Sequence, residues 1–402
     1  MLKNTLAAAI SHTLLIPVLA FAHGSASTSG NVGEAREIQF PDTANHMTLV
    51  VDLHTHSVFS DGHVWPRIRV GEAIRDGLDA MAVTEHLEYQ PHIEDIPHTD
   101  RNRSYQETMM SVPEGEDLLI IAGSEITRRP PHGHMNAVFI EDANELFSVP
   151  GNAADWDTAS FGAAARNWPA ENAVDAANEQ GAFVFWNHSW SDFDNAKTVI
   201  TDFHRQATLD GKLHGIEIAN GSTYSPESFQ IALDHGLTPV GVSDVHNLID
   251  WDHEPHNGGH RPVNLVFTEE RTVEAIRESL IEGRTVVWFR NLLLGQLEHM
   301  EPLLNASLQL IGTRYLGEDS GVLEIELTNV SDATFELENL SDYTLVQSHD
   351  IIEVPPHSSE TYLLRTDGRP NRGDLQFRVL NALIAPDANP EMQFTFDVTS
   401  NF

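Results

Sequence analysis

The chain of 402 residues contains no cysteine, which limits the kinds of site that it can build. Disulfide bonds are excluded, and so are zinc sites with thiolate ligands. Any metal ion in this protein has to be held by histidine, aspartate or glutamate side chains. Histidine is abundant, at 22 residues, so nitrogen ligands are available in number.

Positive charge is also scarce. Lysine and arginine together number 23, against 60 aspartates and glutamates, and the formal net charge is −37. A surface of this sign repels the phosphate backbone of nucleic acids and anionic lipid surfaces. We therefore expect no nucleic-acid partner and favour a small-molecule substrate. The composition leaves the oligomeric state open.

Long apolar runs are missing after the first 22 residues, so we expect no membrane span once that segment is removed. The segment itself has the form of a secretion signal, with Lys3, the apolar stretch "TLAAAISHTLLIPVLA" and the small residues "AFA" at 20–22. We expect cleavage after Ala22 and a periplasmic or secreted protein; an uncleaved anchor is the alternative. Residues 23–46, rich in Ser, Gly, Thr and Asn, are predicted to form a linker.

From residue 48 onward, short apolar runs that end in polar residues alternate with helical patterns. The predicted strands lie within "TLVVDLHTH" (48–56), "LDAMAVTEH" (78–86), "DLLIIAGSEI" (117–126), "HMNAVFIED" (134–142), "GAFVFWNHS" (181–189), "HGIEIANG" (214–221) and "LTPVGVSDVH" (237–246). Helices are predicted over 66–77, 169–181, 225–236 and 272–283. This alternation predicts an α/β fold with a parallel sheet, and seven repeats favour a barrel over an open sheet.

The last hundred residues have a different pattern. Apolar and polar residues alternate in segments such as "GVLEIELTNVS" and "DLQFRVL", and turn sequences such as "DGRPNRGD" separate them. Residues 301–402 are therefore predicted to form an antiparallel β-sandwich. No cluster of His, Asp and Glu occurs there, so its expected role is packing or partner binding.

Nine potential metal ligands follow or end the predicted strands of the barrel. They are His54, His56, Asp61, His86, Glu125, His134, His188, Asp244 and His246. A barrel brings the carboxyl ends of its strands to one mouth, where these side chains would meet. Nine nitrogen and oxygen donors exceed the needs of one ion, so we predict two or three divalent metals.

These motifs resemble those of the PHP (polymerase and histidinol phosphatase) superfamily. The matching segments are "DLHTHSVFSDG", "VTEH", "GSEIT" with "GHMN", "WNHS" and "GVSDVH", and the resemblance runs from about residue 48 to 290. It implies a distorted seven-stranded (β/α) barrel, here bounded as 47–298. It also implies up to three divalent metals, commonly zinc, manganese or iron, and a phosphoesterase activity.

The resemblance also implies a role for each ligand. His54, His56 and Asp244 would hold the first metal, and Glu125 would bridge it to a second. His134 and His188 would complete the second site, with His132 as an alternative to His134. Asp61, His86 and His246 would hold the third metal, while Glu85 and Asn187 are candidates for outer partners or for ordinary loop hydrogen bonds.

The expected reaction is hydrolysis of a small phosphate ester by a hydroxide that bridges two metals. Arg128 and Arg129 are the cations nearest in sequence to a ligand, and Arg261 lies beyond the last ligand. One of these three arginines is expected to contact the substrate phosphate. Two alternatives remain. One is a non-phosphate hydrolase related to amidohydrolases, although no strand here ends in the lysine that those enzymes use to bridge metals. The other is a metal-binding module without catalytic activity.

Overall fold

A computed structural model describes residues 37–150, 157–346 and 349–398 of the chain. The predicted signal peptide and the first part of the predicted linker lie outside these residues. Within them, one mixed sheet of twelve strands forms the larger domain. Its first eleven strands are β1 (Met47–Asp52), β2 (Ala80–Val83), β3 (Leu119–Thr127), β4 (His134–Val138), β5 (Phe183–Trp186), β6 (Gly215–Asn220), β7 (Thr223–Tyr224), β8 (Thr238–Val242), β9 (Val263–Thr268), β10 (Thr285–Phe289) and β11 (Leu292–Gly295).

Nine α-helices occur in the described residues, most of them packed on the outside of the sheet. They are α1 (Pro66–Arg75), α2 (Arg103–Ser111), α3 (Thr158–Arg166), α4 (Ala170–Glu179), α5 (Asp202–Leu209), α6 (Pro226–His235), α7 (Ile249–Asp252), α8 (Val273–Ile281) and α9 (Leu297–Ser307). Each of the four predicted helices is present. In the described part of the chain, no helix combines the length and the apolar character that crossing a bilayer requires.

Each of the seven predicted strand segments contains a strand, but the sheet is not the parallel seven-stranded barrel that was predicted. β1, β2 and β3 run parallel, as do β5, β6 and β8. β4 is antiparallel to both of its neighbours, β3 and β5. Its connection from β3, residues 128–133, is too short for the crossover that a parallel pair requires. β9, β10 and β11 add an antiparallel meander beside β1. The strand count of seven is therefore not confirmed.

The sheet closes where β8 meets β1. Their ends are linked by a parallel bridge between Thr55 and Val245. Deeper in the barrel, the side chain of Asn264 takes over the pairing of β8. Its Oδ1 accepts a hydrogen bond from the N–H of Gly241 (2.9 Å), and its Nδ2 donates to the carbonyls of Gly241 (2.8 Å) and Val51 (3.2 Å). A buried amide thus replaces a stretch of backbone ladder.

The C-terminal domain is a β-sandwich of two four-stranded sheets, as predicted, although its first strand begins only at Leu308, after α9. In its strand β13, Leu323, Ile325 and Leu327 are buried while the glutamates between them point outward. The strands of this domain are β12 (Leu308–Tyr315), β13 (Val322–Asn329), β14 (Phe335–Asn339), β15 (Thr344–Leu345), β16 (Ile351–Val354), β17 (Ser358–Arg365), β18 (Arg372–Val379), β19 (Ala382–Leu383) and β20 (Glu391–Asp397).

The two domains are joined by backbone pairing as well as by packing. β19 leaves the sandwich and pairs in parallel with β11, so it becomes the twelfth strand of the barrel sheet. The segment 37–46, at the end of the predicted linker, lies against both domains. Ile38 is buried and its N–H donates to Asp76 of the barrel, while Gln39 exchanges hydrogen bonds with Asp332 of the sandwich.

The closure of the barrel can be tested at Asn264. Replacing Asn264 with Leu leaves the N–H and carbonyl of Gly241 buried without partners, which we expect to lower the free energy of unfolding by about 3 kcal/mol. The measurement is urea denaturation of the metal-free protein. Asn305→Leu, on the exposed face of α9, is the matched control and should change this free energy by less than about 0.5 kcal/mol. Equal effects of the two substitutions would show that the amide is not what holds β8.

Candidate metal centre

The structure brings the nine predicted ligands together at one end of the barrel. Most of them follow parallel strands, as the sequence pattern predicted. His134 is different, because it is the first residue of β4. Since β4 runs antiparallel to β3, its start lies beside the end of β3, where Glu125 is located. The reversal of one strand therefore preserves the common mouth.

The first group surrounds the Nε2 atoms of His54 and His56, which lie 3.0 Å apart. Oδ1 of Asp244 is 3.2 Å from both of these nitrogens. Oε2 of Glu125 is 3.4 Å from His54 Nε2 and 3.3 Å from His56 Nε2. Two imidazole nitrogens and two carboxylate oxygens thus converge on one point, as ligands of a divalent ion do.

Glu125 connects this group to a second one. Its side chain is fully buried, and its other oxygen, Oε1, lies 2.8 Å from Nδ1 of His134 and 3.5 Å from Nε2 of His188. The amide of Asn187 donates to the same oxygen at 3.1 Å. The two oxygens of one carboxylate therefore face different sets of histidines, which is the arrangement of a bridging ligand.

A third group is built around Asp61. Its Oδ1 is 3.1 Å from Nε2 of His246, and its Oδ2 is 3.4 Å from Nε2 of His86. Nδ1 of His56 lies 3.7 Å from Asp61, and Nδ1 of His86 lies 2.9 Å from Glu125. The donor atoms of His56, Asp61, His86 and His246 are close enough to one another to share an ion.

The electrostatics of the cluster indicate a site built for positive charge. Burial alone lowers the pKa of His54, but Asp244, Glu125 and Glu217 outweigh it and hold that pKa well above its ordinary value. Burial likewise raises the pKa of Asp244, yet the histidines around it reverse the effect and lower it. Protons on the histidines and a metal ion thus compensate the same buried carboxylates.

The donor set fits divalent metals. All nine ligands are nitrogen or oxygen donors, and with no thiolate present the set suits ions such as zinc, manganese and iron. Oε2 of Glu125 and Oδ1 of Asp61 are buried and lack a hydrogen bond of good geometry. Buried carboxylate oxygens need a partner, and a cation in each group would supply it.

Glu217 is a residue of this centre that the sequence analysis missed. It lies inside β6, fully buried, and its Oε1 accepts a hydrogen bond from His54 Nδ1 at 2.7 Å. This bond fixes the ring of His54 so that Nε2 faces the cluster. Oε2 of Glu217 accepts from the backbone N–H of His188 (2.5 Å) and from Asn220 (2.9 Å). A lone glutamate in the apolar strand "GIEIA" was the available signal.

A second buried carboxylate, Asp52, ties the two ligand-bearing loops together. Its Oδ1 accepts from the N–H groups of His54 (3.3 Å) and Ser243 (3.2 Å), and its Oδ2 accepts from the Ser243 hydroxyl (2.6 Å). The buried Arg69 links the same two loops, because it donates to the carbonyls of His56 and Val245. The loops after β1 and β8 are therefore held in register from below.

The backbone at two ligands is strained. Asp244 has φ of 50° and His188 has φ of 24°, values that residues other than glycine rarely adopt. Asp244 is held there by its N–H bond to the carbonyl of His54, at 3.0 Å, and His188 by the bond of its N–H to Glu217. Such strain is typical of functional sites, where the surrounding structure fixes the conformation.

The remaining predicted neighbours fall into two sets. Glu85 hydrogen-bonds the hydroxyl of Ser60, which in turn contacts Nδ1 of His56 at 3.1 Å. Asn187 contacts the ligand Glu125 directly, as described above. Both predicted outer partners, Glu85 and Asn187, therefore lie directly behind ligands. His132 does not join the cluster, since its ring packs edge-on against Phe203, 4.7 Å between centroids.

The three predicted substrate-binding arginines differ in position. Arg128 is buried and forms an ion pair with Glu88. Arg129 is exposed. Arg261 is only 1 % exposed, and its guanidinium pairs with Asp52 (3.2 Å) and Asp76 (2.8 Å) beneath the centre. The structure therefore does not support a contact between Arg261 and substrate, because its donors are directed into the barrel.

Both domains of the chain are similar to known proteins. Residues 308–395 match the DUF5001 family, an Ig-like domain. A two-domain protein from Bacteroides vulgatus, containing a predicted PHP-like metal-dependent phosphoesterase, is 35% identical; the match covers 91% of this chain and 100% of that one, with a TM-score of 0.79. A protein from Bifidobacterium adolescentis, provisionally described as a metal-dependent phosphoesterase, is 20% identical over 58% of this chain and 96% of that one, with a TM-score of 0.38.

No curated protein matches the chain. The match to the Bacteroides vulgatus protein nevertheless spans both domains at substantial identity. The motifs that suggested the PHP superfamily are also the segments that carry the clustered ligands. The chain therefore belongs to the family of two-domain, PHP-like metal-dependent phosphoesterases.

Proposed function

We propose that this protein hydrolyses a small phosphate ester with the help of two or three divalent metal ions. The observation that carries the proposal is the position of Glu125, whose two carboxylate oxygens face separate groups of histidines. The similarity to a protein described as a predicted PHP-like metal-dependent phosphoesterase supports the same reaction class. The formal charge of −37 disfavours a nucleic-acid substrate.

His54, His56, Asp244 and Glu125 would hold the first ion, Glu125 with His134 and His188 the second, and Asp61, His86 and His246 the third. When bound, such ions supply Lewis acidity toward the phosphoryl oxygens and bind water with a pKa of about 7, so that hydroxide is available for attack on phosphorus. The protein fixes the donors through Glu217 and Asp52.

Of the three predicted substrate-binding arginines, Arg129 remains the candidate for contact with the substrate phosphate. It is exposed just beyond β3, in the segment that leads from Glu125 to His134. A guanidinium there would offer two parallel N–H donors to phosphate oxygens. Arg128, by contrast, already neutralises the buried carboxylate of Glu88.

Metal-dependent turnover is the direct test of the proposal. The purified chain, loaded with Zn²⁺ or Mn²⁺, should release inorganic phosphate from ethyl phosphate or p-nitrophenyl phosphate. Because the carboxylates need the ions as partners, EDTA should abolish the activity and added metal should restore it. A metal-loaded protein that cleaves none of a broad set of phosphate esters would contradict the proposed function.

Glu125→Gln tests the bridge itself. The amide keeps the shape of the side chain but loses the charge that both metal groups share, so we expect the metal content to fall and activity to drop at least about 100-fold. Elemental analysis of the purified variant measures the first effect. Glu171→Gln is the control, because Glu171 is exposed and lies near His132, outside the cluster. Unchanged metal content in the Glu125 variant would refute the bridging role.

We also propose that the protein is exported, on the strength of the signal-like sequence at 1–22. N-terminal sequencing of the mature protein from its native host should then begin near His23. Recovery of soluble cytoplasmic protein that still carries Met1 would argue against export.

A further inference from the structure

A cleft with a cavity of about 600 Å³ lies between the barrel and the Ig-like domain. Its barrel side includes residues of the segment 251–262 and the segment 288–291, which covers the end of β10 and the turn to β11. Its other side includes Asp332, Thr334 and Pro356 of the sandwich. Small-molecule sites commonly have this volume and often lie at domain interfaces.

Two segments that line the cleft are hydrogen-bonded to residues of the metal centre or next to it in sequence. Gly221 and Ser222 line it and directly follow Asn220, whose amide donates to Oδ2 of Asp244 at 3.1 Å. Asp252, another lining residue, accepts a hydrogen bond from Asn247 at 3.3 Å, and Asn247 is the residue after His246. The cleft and the candidate metal ligands therefore lie at the same end of the barrel, on neighbouring segments of the chain.

The charge of the cleft excludes a second anionic group. Asp252, Glu254 and Asp332 line it, against a single arginine, Arg290, which donates to the carbonyl of Ser222. Burial, reinforced by the charge of Arg261, lowers the pKa of His253 to about 4, so this histidine adds no positive charge at neutral pH. This lining favours a neutral or cationic group over an anionic one. Under the proposed function, the phosphate of the substrate would bind at the metal centre instead.

The aromatic residues of the cleft indicate whether a neutral or a cationic ligand fits it better. Trp288 is covered by His260, stacked at 3.4 Å, and by the edge of Phe40 at 5.1 Å. Trp251 is 61% exposed. Among the described lining residues, Trp251 is therefore the tryptophan whose ring face is open to a ligand. Because this face is exposed to water, it is poorly suited to bind an organic cation firmly, which requires desolvated aromatic surfaces.

Asp252 and Glu254 are exposed carboxylates beside that indole. Exposed carboxylates hold an ammonium group only weakly, because water screens the pair. They are well suited to accept hydrogen bonds from hydroxyl groups. The face of a tryptophan ring meanwhile packs against the C–H groups of a sugar ring, and its N–H remains free to donate at the edge.

We propose that this cleft binds a polyhydroxylated leaving group, so that the substrates of the protein are phosphate esters of sugars or polyols. The inference rests on the proposed phosphoesterase function and specifies its substrate class. Trp251 would pack against the ring, and Asp252 and Glu254 would accept hydrogen bonds from its hydroxyls.

The test compares three esters on the metal-loaded full chain and on Trp251→Ala: glucose 6-phosphate, ethyl phosphate and phosphoethanolamine. In the variant, we expect kcat/KM for glucose 6-phosphate to fall at least tenfold, mainly through a higher KM. The value for ethyl phosphate should stay within twofold. Trp251→Phe is the matched control, because it keeps an aromatic face and should retain most of the activity on glucose 6-phosphate.

The outcomes distinguish the proposed phosphoesterase function from the proposed sugar subsite. Failure of the wild-type protein to cleave these three esters and the broad set of phosphate esters described above would contradict the proposed function itself. Turnover of ethyl phosphate, with no preference for glucose 6-phosphate or with equal losses in Trp251→Ala, would contradict only the sugar subsite. A selective loss on phosphoethanolamine would show that the cleft binds a cation and would overturn the inference.

Discussion

A buried carboxylate surrounded by histidines is the constraint on which the open end of the barrel depends. Glu125 has no exposed surface, and Asp244 and Asp61 lie within the same ring of imidazoles. Ionised carboxylates are costly to bury without a partner of opposite charge. Either protons on the histidines or metal ions have to balance them, so metal binding and the stability of this end of the fold are coupled.

The arginines show how this acidic chain uses its few cations. Arg69 and Arg261 are both buried beneath the centre, where they bind backbone carbonyls and the carboxylates of Asp52, Glu72 and Asp76. Arg261 was a candidate for substrate binding because it follows the last predicted ligand along the chain. Sequence distance does not reveal on which side of a loop a long side chain lies, since that depends on the carboxylates which tertiary folding brings near. Charge neutralisation inside the barrel thus takes priority over contact with a ligand.

Much of the centre could be predicted because strand ends are readable in the sequence. Apolar runs with a histidine or an acidic residue at or near their ends predicted all nine ligands, and the family resemblance implied which metal each of them would hold. The direction of β4 and the meander β9–β11 could not be predicted, because a short apolar run carries no information about its orientation. Glu217 escaped for a related reason: its partner, His54, belongs to a strand far away in the sequence.

The pairing of β19 with β11 joins the two domains through their backbones. β11 stands near the end of the barrel sequence, whereas β19 comes from the last strands of the Ig-like domain, so almost the whole chain has to be synthesised before they can meet. Until then β11 is an uncovered sheet edge, which is prone to pair with other chains. Such long-range contacts also slow folding. The Ig-like domain therefore determines when the barrel sheet is complete, and a chain that terminates early carries its candidate metal ligands on an unfinished sheet.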